Sequence, residues 1–176
     1  DANGLRGARL GIARKFFEKN APLDRLLTSC VEVLKKAGAQ IVEAADLPHH
    51  NAWNDPEMEV LQYEFKAGLN AYLTRLPQSM PARSLKDLIV FNQKNRAREM
   101  PWFEQELFEQ SEARGALDSG DYIKARAQCI RLTRTEGIDA VLTKHKLDAI
   151  VTLTGGPAWL IDVVNGDTDT GSCSSP

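Results

Sequence analysis

Residues 8–44 read ARLGIARKFFEKNAPLDRLLTSCVEVLKKAGAQIVEA, and this stretch decides the fold. Its opening, ARLGIAR (8–14), is short, apolar and followed by Lys15-Phe16-Phe17, as a strand running into a turn would be. From Pro22 to Ala37 the apolar residues Leu23, Leu26, Leu27, Cys30, Val31 and Leu34 recur at i, i+3, i+4, i+7, the spacing of one helix face. Pro22 suits the first turn of that helix, and Gly38 suits the position just past its end. Residues 40–44 then read as a second strand. Strand, helix and strand in one stretch make a βαβ unit, whose crossover places the two strands parallel.

Outward from this unit the middle of the chain reads as helical. Asp55 can cap a helix with Pro56 at its first position, and Met58, Leu61, Phe65, Leu69, Tyr72, Leu73 and Leu76 form its apolar stripe. Pro77 and Pro81 break it. Ser84 with Asp87 resembles a capping box opening a helix through Leu85, Leu88 and Ile89. Pro101 either kinks that helix or separates it from one holding Phe103, Leu107 and Phe108. A last long helix is expected from Ser119, with Ile123, Ala127, Ile130 and Val141 inward and Gly137 its weak point. Residues 148–153 return to a strand. The expected fold class is α/β, a partial and mostly parallel sheet with a βαβ start, a late strand and a large helical insertion at about 55–146. Residues 1–176 are expected to form a single α/β unit.

Composition narrows the function. The chain has 176 residues, 43% of them hydrophobic and 26% charged, enough for a soluble domain that buries roughly 70% of its unfolded surface. Twenty-two Lys and Arg against 24 Asp and Glu give a net charge of −2, without the basic excess a nucleic-acid or anionic-membrane partner calls for. No apolar run approaches the length of a spanning helix. Cys30, Cys129 and Cys173 are odd in number and far apart, fitting neither a disulfide framework nor a zinc site, so reduced thiols in a cytoplasmic protein are expected.

Few residues carry chemistry, and each has a plainer reading beside it. His49 and His50, near Asp46, are adjacent and point apart, so a solvated loop after Pro48 is preferred to a metal site, and no cofactor is expected. His145 between Lys144 and Lys146 sits at a helix end, where a cation complements the dipole. Trp102, Phe103 and Phe108 near Arg96 and Arg98 could be drawn as a stacking patch for bases. The acidic Glu104, Glu106 and Glu109 beside them favour core packing instead. Glu57, Glu59 and Glu64 read as a helix start and a solvated face, although one of them could contact a substrate.

The tail, residues 148–176, differs. Thr152, Thr154, Gly155 and Gly156 follow a strand end, where α/β proteins usually hold ligands, and glycines let a ligand approach the backbone. Trp159 adds an apolar wall and Asp162 a charge. Thr154, Gly155, Gly156, Trp159 and Asp162 are therefore the candidate substrate-binding residues, against the plainer reading of a strand-to-loop exit. Ser172, Ser174 and Ser175 lack a placed base and the strand-turn-helix context of a nucleophile elbow, so no catalytic residue is assigned.

Four stretches, in order, resemble the amidase signature family: LRGARLGIARKFF (5–17), EVLQYEFKAGLNAYL (59–73), FNQKNRAREMPWFEQELFEQSEARG (91–115), and LDAIVTLTGGPAWLIDVVNGD (147–167) with GSCSSP (171–176). The Tyr63-Glu64-Phe65-Lys66 run is similar to that of the stand-alone amidase branch rather than the transamidosome subunit. The resemblance implies hydrolysis of amide bonds by a serine nucleophile, a second serine in a cis peptide and a lysine. Those three belong to a Gly/Ser-rich signature and a lysine segment, both N-terminal to the part resembled. No Gly-Gly-Ser-Ser-Gly-Gly run occurs in this chain, and GSCSSP matches a different stretch, so no member of the triad carries over. The sequence departs from the family pattern at Cys173 and at residues 168–170.

The chain is thus expected to be a second-half piece of an amidase, cut within a motif at its end and inactive alone. It would supply scaffold and walls for a small amide substrate, with no nucleic-acid or membrane partner. Missing sheet neighbours would leave unpaired strand edges and apolar faces, so self-association is expected. The competing expectation is an independent, non-catalytic α/β binding or interaction module. A self-sufficient hydrolase using Ser172 or Cys173 with Lys144 or His145 is the third.

Overall fold

The structure, a computed structural model, describes residues 3–15, 20–158, 160, 164 and 166. The chain forms two compact units, residues 1–52 with 130–176, and residues 53–129.

The first unit is built on a parallel three-stranded sheet of order β2-β1-β3, with β1 Arg9–Ile12, β2 Gln40–Val42 and β3 Ala149–Val151. Leu10 pairs with Ile41 on one side of β1 and with Ala149 on the other. Between β1 and β2 runs α1, Ala21–Lys36, capped by Asn20, whose side chain accepts from the Leu23 amide at 3.2 Å, and carrying Pro22 in its first turn. Gly38 follows the helix at φ +97°, a left-handed conformation that glycine adopts without strain. The βαβ reading therefore holds, with strands shorter than the apolar runs that announced them.

Both faces of the sheet are covered, as parallel sheets require. Ile12 packs with Leu27 and Val31 of α1, joined by Ile41, Val151 and Leu153. Ala45, Leu47 and Val141 form a second cluster with Ile138, Leu147 and Ile150. Val141 belongs to the short helix Asp139–His145, which follows a stretch of wider π-type helix, Ile130–Ile138. Gly11 faces the second cluster: a Cβ there would lie 2.4 Å from Leu147 Cδ1 and 2.5 Å from Ala45 Cβ. Only a glycine lets the central strand approach its neighbours so closely. At Gly137 the helical geometry breaks, and a Cβ would meet the Leu132 carbonyl oxygen at 2.7 Å. The single long helix expected from Ser119 is thus divided. Leu26 and Cys30, expected on the buried face of α1, are exposed, because the sheet covers only the narrower stripe through Leu27 and Val31.

The second unit is all helical: α2 Asn54–Thr74, α3 Leu85–Lys94, α4 Arg96–Glu99, α5 Glu106–Glu112 and α6 Gly120–Cys129. Trp53, not Asp55, stands at the N-cap of α2, and its side chain makes no capping bond. Asp55 lies instead in the first turn, where its charge suits the dipole. Ser84 caps α3 as its sequence suggests, accepting from the Asp87 amide at 3.2 Å, while Asp87 accepts from the Arg83 amide at 2.9 Å. Arg83 also donates to the Thr74 carbonyl at the end of α2 at 2.7 Å and to the Leu76 carbonyl just beyond it at 2.6 Å. Pro101 separates α4 from α5 rather than kinking one helix.

The apolar stripe expected on the buried face of α2 is corrected. Met58, Leu61, Phe65 and Tyr72 are exposed, while Gln62, Tyr63 and Leu73 are buried. Likewise Ile123 and Ala127 of α6 and Ile130 just beyond it face outward, and Tyr122 and Ala125 inward. Trp102 and Phe103 are exposed rather than core residues.

Candidate functional site

Order β2-β1-β3 means the chain leaves β1 toward one side and returns on the other. In open α/β sheets the crevice outside the carboxyl ends at such a reversal is the usual ligand site. Here that point lies between the ends of β1 and β3. The Ala13 amide donates to the Val151 carbonyl at 3.1 Å, and the Thr152 hydroxyl donates to the Ala13 carbonyl at 3.0 Å, so the two strands stay joined past their ends. Thr152 is thereby a fastener. Beyond it Thr154 is exposed and Gly155 and Gly156 are half-buried, which leaves a hydroxyl and glycine backbone at the crevice. Trp159 and Asp162, the other two candidates, lie outside the described residues, as do Ser172, Cys173, Ser174 and Ser175.

Sequence reasoning missed the polar network beside this point. Asp46 Oδ1 accepts from the amides of Arg14 at 2.6 Å and Lys15 at 2.9 Å, turning the chain as it leaves β1. The Arg14 guanidinium donates to Asp24 at 2.8 Å, Glu43 at 3.1 Å and Thr28 at 3.3 Å. Burial pulls its pKa down, but hydrogen bonds and charge from Glu43 and Asp24 outweigh that, and the balance is upward. This arginine is committed to α1 and the end of β2. The signal that could have found it is its place as the last residue of ARLGIAR, a cation ending an apolar strand. At the opposite end of the strands, Arg9 and Asp148 exchange bonds of 2.8 and 2.9 Å, and Arg9 donates to the His145 carbonyl at 3.1 Å at the end of the last helix. His145 is in that last turn, as expected; His49 Nε2 lies 3.2 Å from Glu136 Oε2. Among the described residues no group of three or more His, Cys, Asp or Glu could hold a metal ion.

The helical unit has its own organised centre, around the Tyr63-Glu64-Phe65-Lys66 run. Gln62, 4% exposed, accepts from Arg114 Nε at 2.8 Å and NH2 at 2.6 Å and donates to Gln110 at 2.8 Å. Arg114 also pairs with Glu59 at 2.9 Å and lies over the Tyr63 ring at 5.8 Å. Lys66 Nζ donates to the carbonyls of Glu112 at 2.6 Å and Arg114 at 2.7 Å, which satisfies acceptors at the end of α5. Tyr63 packs on Tyr122 at 5.6 Å, and the Tyr122 hydroxyl donates to Glu64 at 2.7 Å. That bond, with burial and the charge of Glu64, pushes the Tyr122 phenol's pKa up. Glu59 and Glu64 thus fasten the unit as well, Glu59 half-buried and Glu64 on the solvated face that its sequence suggests. Cys129 has its pKa raised by burial and by Glu57, which disfavours the reactive thiolate.

Phe65 stacks on Phe108 at 5.5 Å across a groove of about 340 Å³ between α2 and α5. Met58, Leu61 and Leu107 complete its apolar wall, with Gln62 and Ser111 beneath. On the other side of Leu107 and Phe108 lies a second cavity of about 290 Å³, bordered by Glu99, Glu104 and Glu106 with Met100 and Phe103. Glu104 pairs with Arg96.

Over 156 residues the chain is 33% identical to a probable amidase from Arabidopsis thaliana, a match covering 86% of this chain and 28% of that protein. It superposes on a crystal structure of a peptide amidase in complex with the competitive inhibitor chymostatin with a TM-score of 0.90 and 40% identity, covering 99% of this chain and 35% of that one. The relationship is to amidases. A peptide amidase from Stenotrophomonas maltophilia gives a TM-score of 0.85 at 38% identity, covering 99% of this chain and 34% of that one. The chain thus spans about a third of the length of the amidases it matches. No protein-family model matches it. Among the described residues no helix is long and apolar enough to cross a membrane.

Proposed function

We propose that this chain is the part of an amidase domain that frames the substrate site, and that the serine nucleophile lies in sequence outside it. The observation that carries the reading is the fit of nearly the whole chain onto about a third of a peptide amidase. Continuity across both units favours a piece of one enzyme over an independent interaction module. Thr154, Gly155 and Gly156, with Trp159 and Asp162, wall a pocket for a small amide, and a peptide amide is the substrate class that the peptide amidase relatives suggest. Topology supports the first three, because they follow β3 at the point where strand order reverses. The reduced thiols of Cys30 and Cys129 fit a cytoplasmic setting, and the exposed apolar groove fits self-association of the isolated chain.

The test is amide hydrolysis, with simple aryl amides and peptide amides as substrates. The purified chain should give no turnover. Co-expression with the remaining part of the Stenotrophomonas peptide amidase should give turnover that a serine-directed inactivator abolishes. Inactivator-sensitive turnover by the chain alone would overturn the reading and move attention to Ser172–Ser175. A monodisperse monomer by light scattering would remove the self-association.

A further inference from the structure

The peptide group that joins Ala13 to Arg14 is gripped from both sides by side chains. Its N–H donates to Asp46 Oδ1 at 2.6 Å, and its carbonyl accepts from the Thr152 hydroxyl at 3.0 Å. The Lys15 amide adds a bond of 2.9 Å to the same carboxylate oxygen. One residue earlier, the Ala13 amide continues the β1–β3 ladder by donating to the Val151 carbonyl at 3.1 Å. Ala13 is 1% exposed, so the group is kept from water. Buried neighbours hold both side chains in place. Asp46 lies between the buried Ala45 and Leu47, and the Ala45 amide donates to the Ile12 carbonyl at 3.3 Å. Thr152 is followed by Leu153, which packs on the cluster of Ile12, Leu27 and Val31.

We infer that Asp46 and Thr152 are a pair of positioning residues that fix the direction in which the chain leaves β3, and so the place of Thr154, Gly155 and Gly156. This deepens the reading of those three residues as a pocket wall, and rests on it. The physical basis is polarisation. A carboxylate on the N–H of a peptide group makes the carbonyl of that group a stronger acceptor, and hydrogen bonds in such a chain reinforce one another. The charge of Asp46 thereby tightens the Thr152 bond through the peptide group between them. Gly155 and Gly156 have no side chains to restrain their own backbone, so the restraint comes from the flank. Thr152, two positions before Thr154, supplies it. Neither residue needs to touch the substrate; both act through the Ala13 carbonyl.

The test begins with nuclear magnetic resonance of the purified chain. Asp46→Asn keeps the shape and removes the charge, and should move the Ala13 carbonyl carbon and the Gly155 and Gly156 amide resonances. Thr152→Val removes only the hydroxyl and should move the same glycine resonances in the same direction, and Thr152→Ser should restore them. The double variant should move them no further than Thr152→Val alone, as one shared bond requires. Signals of Arg9 and Asp148, at the other end of the strands, should stay in place, which separates a local change from loss of the fold. Should Asp46→Asn fail to fold, the Val and Ser variants at position 152 decide alone. Glycine resonances that stay put, or that shift additively in the double variant, overturn the inference.

In the reconstituted amidase described above, Asp46→Asn and Thr152→Val should each raise KM for a peptide amide about three- to ten-fold, the effect of one hydrogen bond, and change kcat by less than about two-fold. Thr152→Ser should return KM toward the unmodified value. An unchanged KM overturns the link to the pocket. No turnover by the unmodified reconstituted enzyme counts against the amidase reading alone, because the resonances report the coupling without it.

Discussion

The sheet unit and the helical unit obey the same rule of apolar burial and yet answer differently to their sequences. In the sheet unit the strand residues that look buried are buried, Leu10 and Ile12, and its helix α1 buries Leu27 and Val31 while Leu26 and Cys30 stay exposed. In the helical unit Met58, Leu61 and Phe65 look buried and are exposed, while Gln62 is almost inaccessible. The difference lies in what fixes a face. Hydrogen-bonded pairing to β2 and β3 holds the register of β1, and the alternation of a strand then assigns every side chain. A helix satisfies its own backbone and can rotate about its axis until side chains choose a partner. In α2 a set of specific polar bonds, above all those of Arg114 and Lys66, makes that choice.

Substitutions that test this contrast can be ranked. Leu27→Ala in the sheet unit should cost about 2–5 kcal/mol in chemical denaturation, because a fully buried leucine leaves a cavity. Gly11→Val should cost about 1–3 kcal/mol by overpacking, since Leu147 and Ala45 already occupy the space. Arg114→Ala should destabilise the helical unit by about 1–3 kcal/mol, leaving the Gln62 oxygen buried without its donors. A measured loss near zero there would dissolve the claim that polar bonds orient α2.

A smaller effect concerns pH. The Arg83 amide, followed by the Ser84 hydroxyl, lowers the Asp87 pKa. Its contribution is therefore complete above the unfolded carboxylate value and disappears as pH falls through the folded value. Hydrogen exchange should show amide protection in the first turn of α3 weakening on acidification, and Asp87→Asn should flatten that dependence. Least of all, Leu61→Gln should change thermal stability by less than about 0.5 kcal/mol, as an exposed position allows. A large loss would restore the apolar stripe to the core.

What was legible in the sequence follows the same division. Pro22, Gly38, Ser84 and Asp87 carry local instructions, and the structure obeys them because caps and turns need only near neighbours. The α/β class followed from one βαβ stretch. Hidden were contacts whose partners lie far along the chain, such as Gln62 with Arg114 or Arg9 with Asp148. No periodicity announces a guanidinium that reaches a glutamine many residues away. The Tyr63–Lys66 run stands out in the sequence only by resemblance, and its work as a fastener needs α5 and α6 in place. At the crevice, the strand end at Thr152 was readable, but the Asp46 turn beside it required the loop after β2 to fold back.

Consider β1 during synthesis. Arg9 meets its first partner, Gln40, early, yet its bond to Asp148 spans 139 positions. The middle strand must therefore wait with one flank unpaired while the whole helical stretch is made. Closing so long a loop is slow, although its entropy grows only with the logarithm of its length. Helices that condense on themselves meanwhile shorten the effective tether. The order of manufacture thus leaves β1 half-paired until the helical stretch is complete, and a lesion in α2 or α6 that slows its condensation should appear first as a kinetic defect in pairing β3.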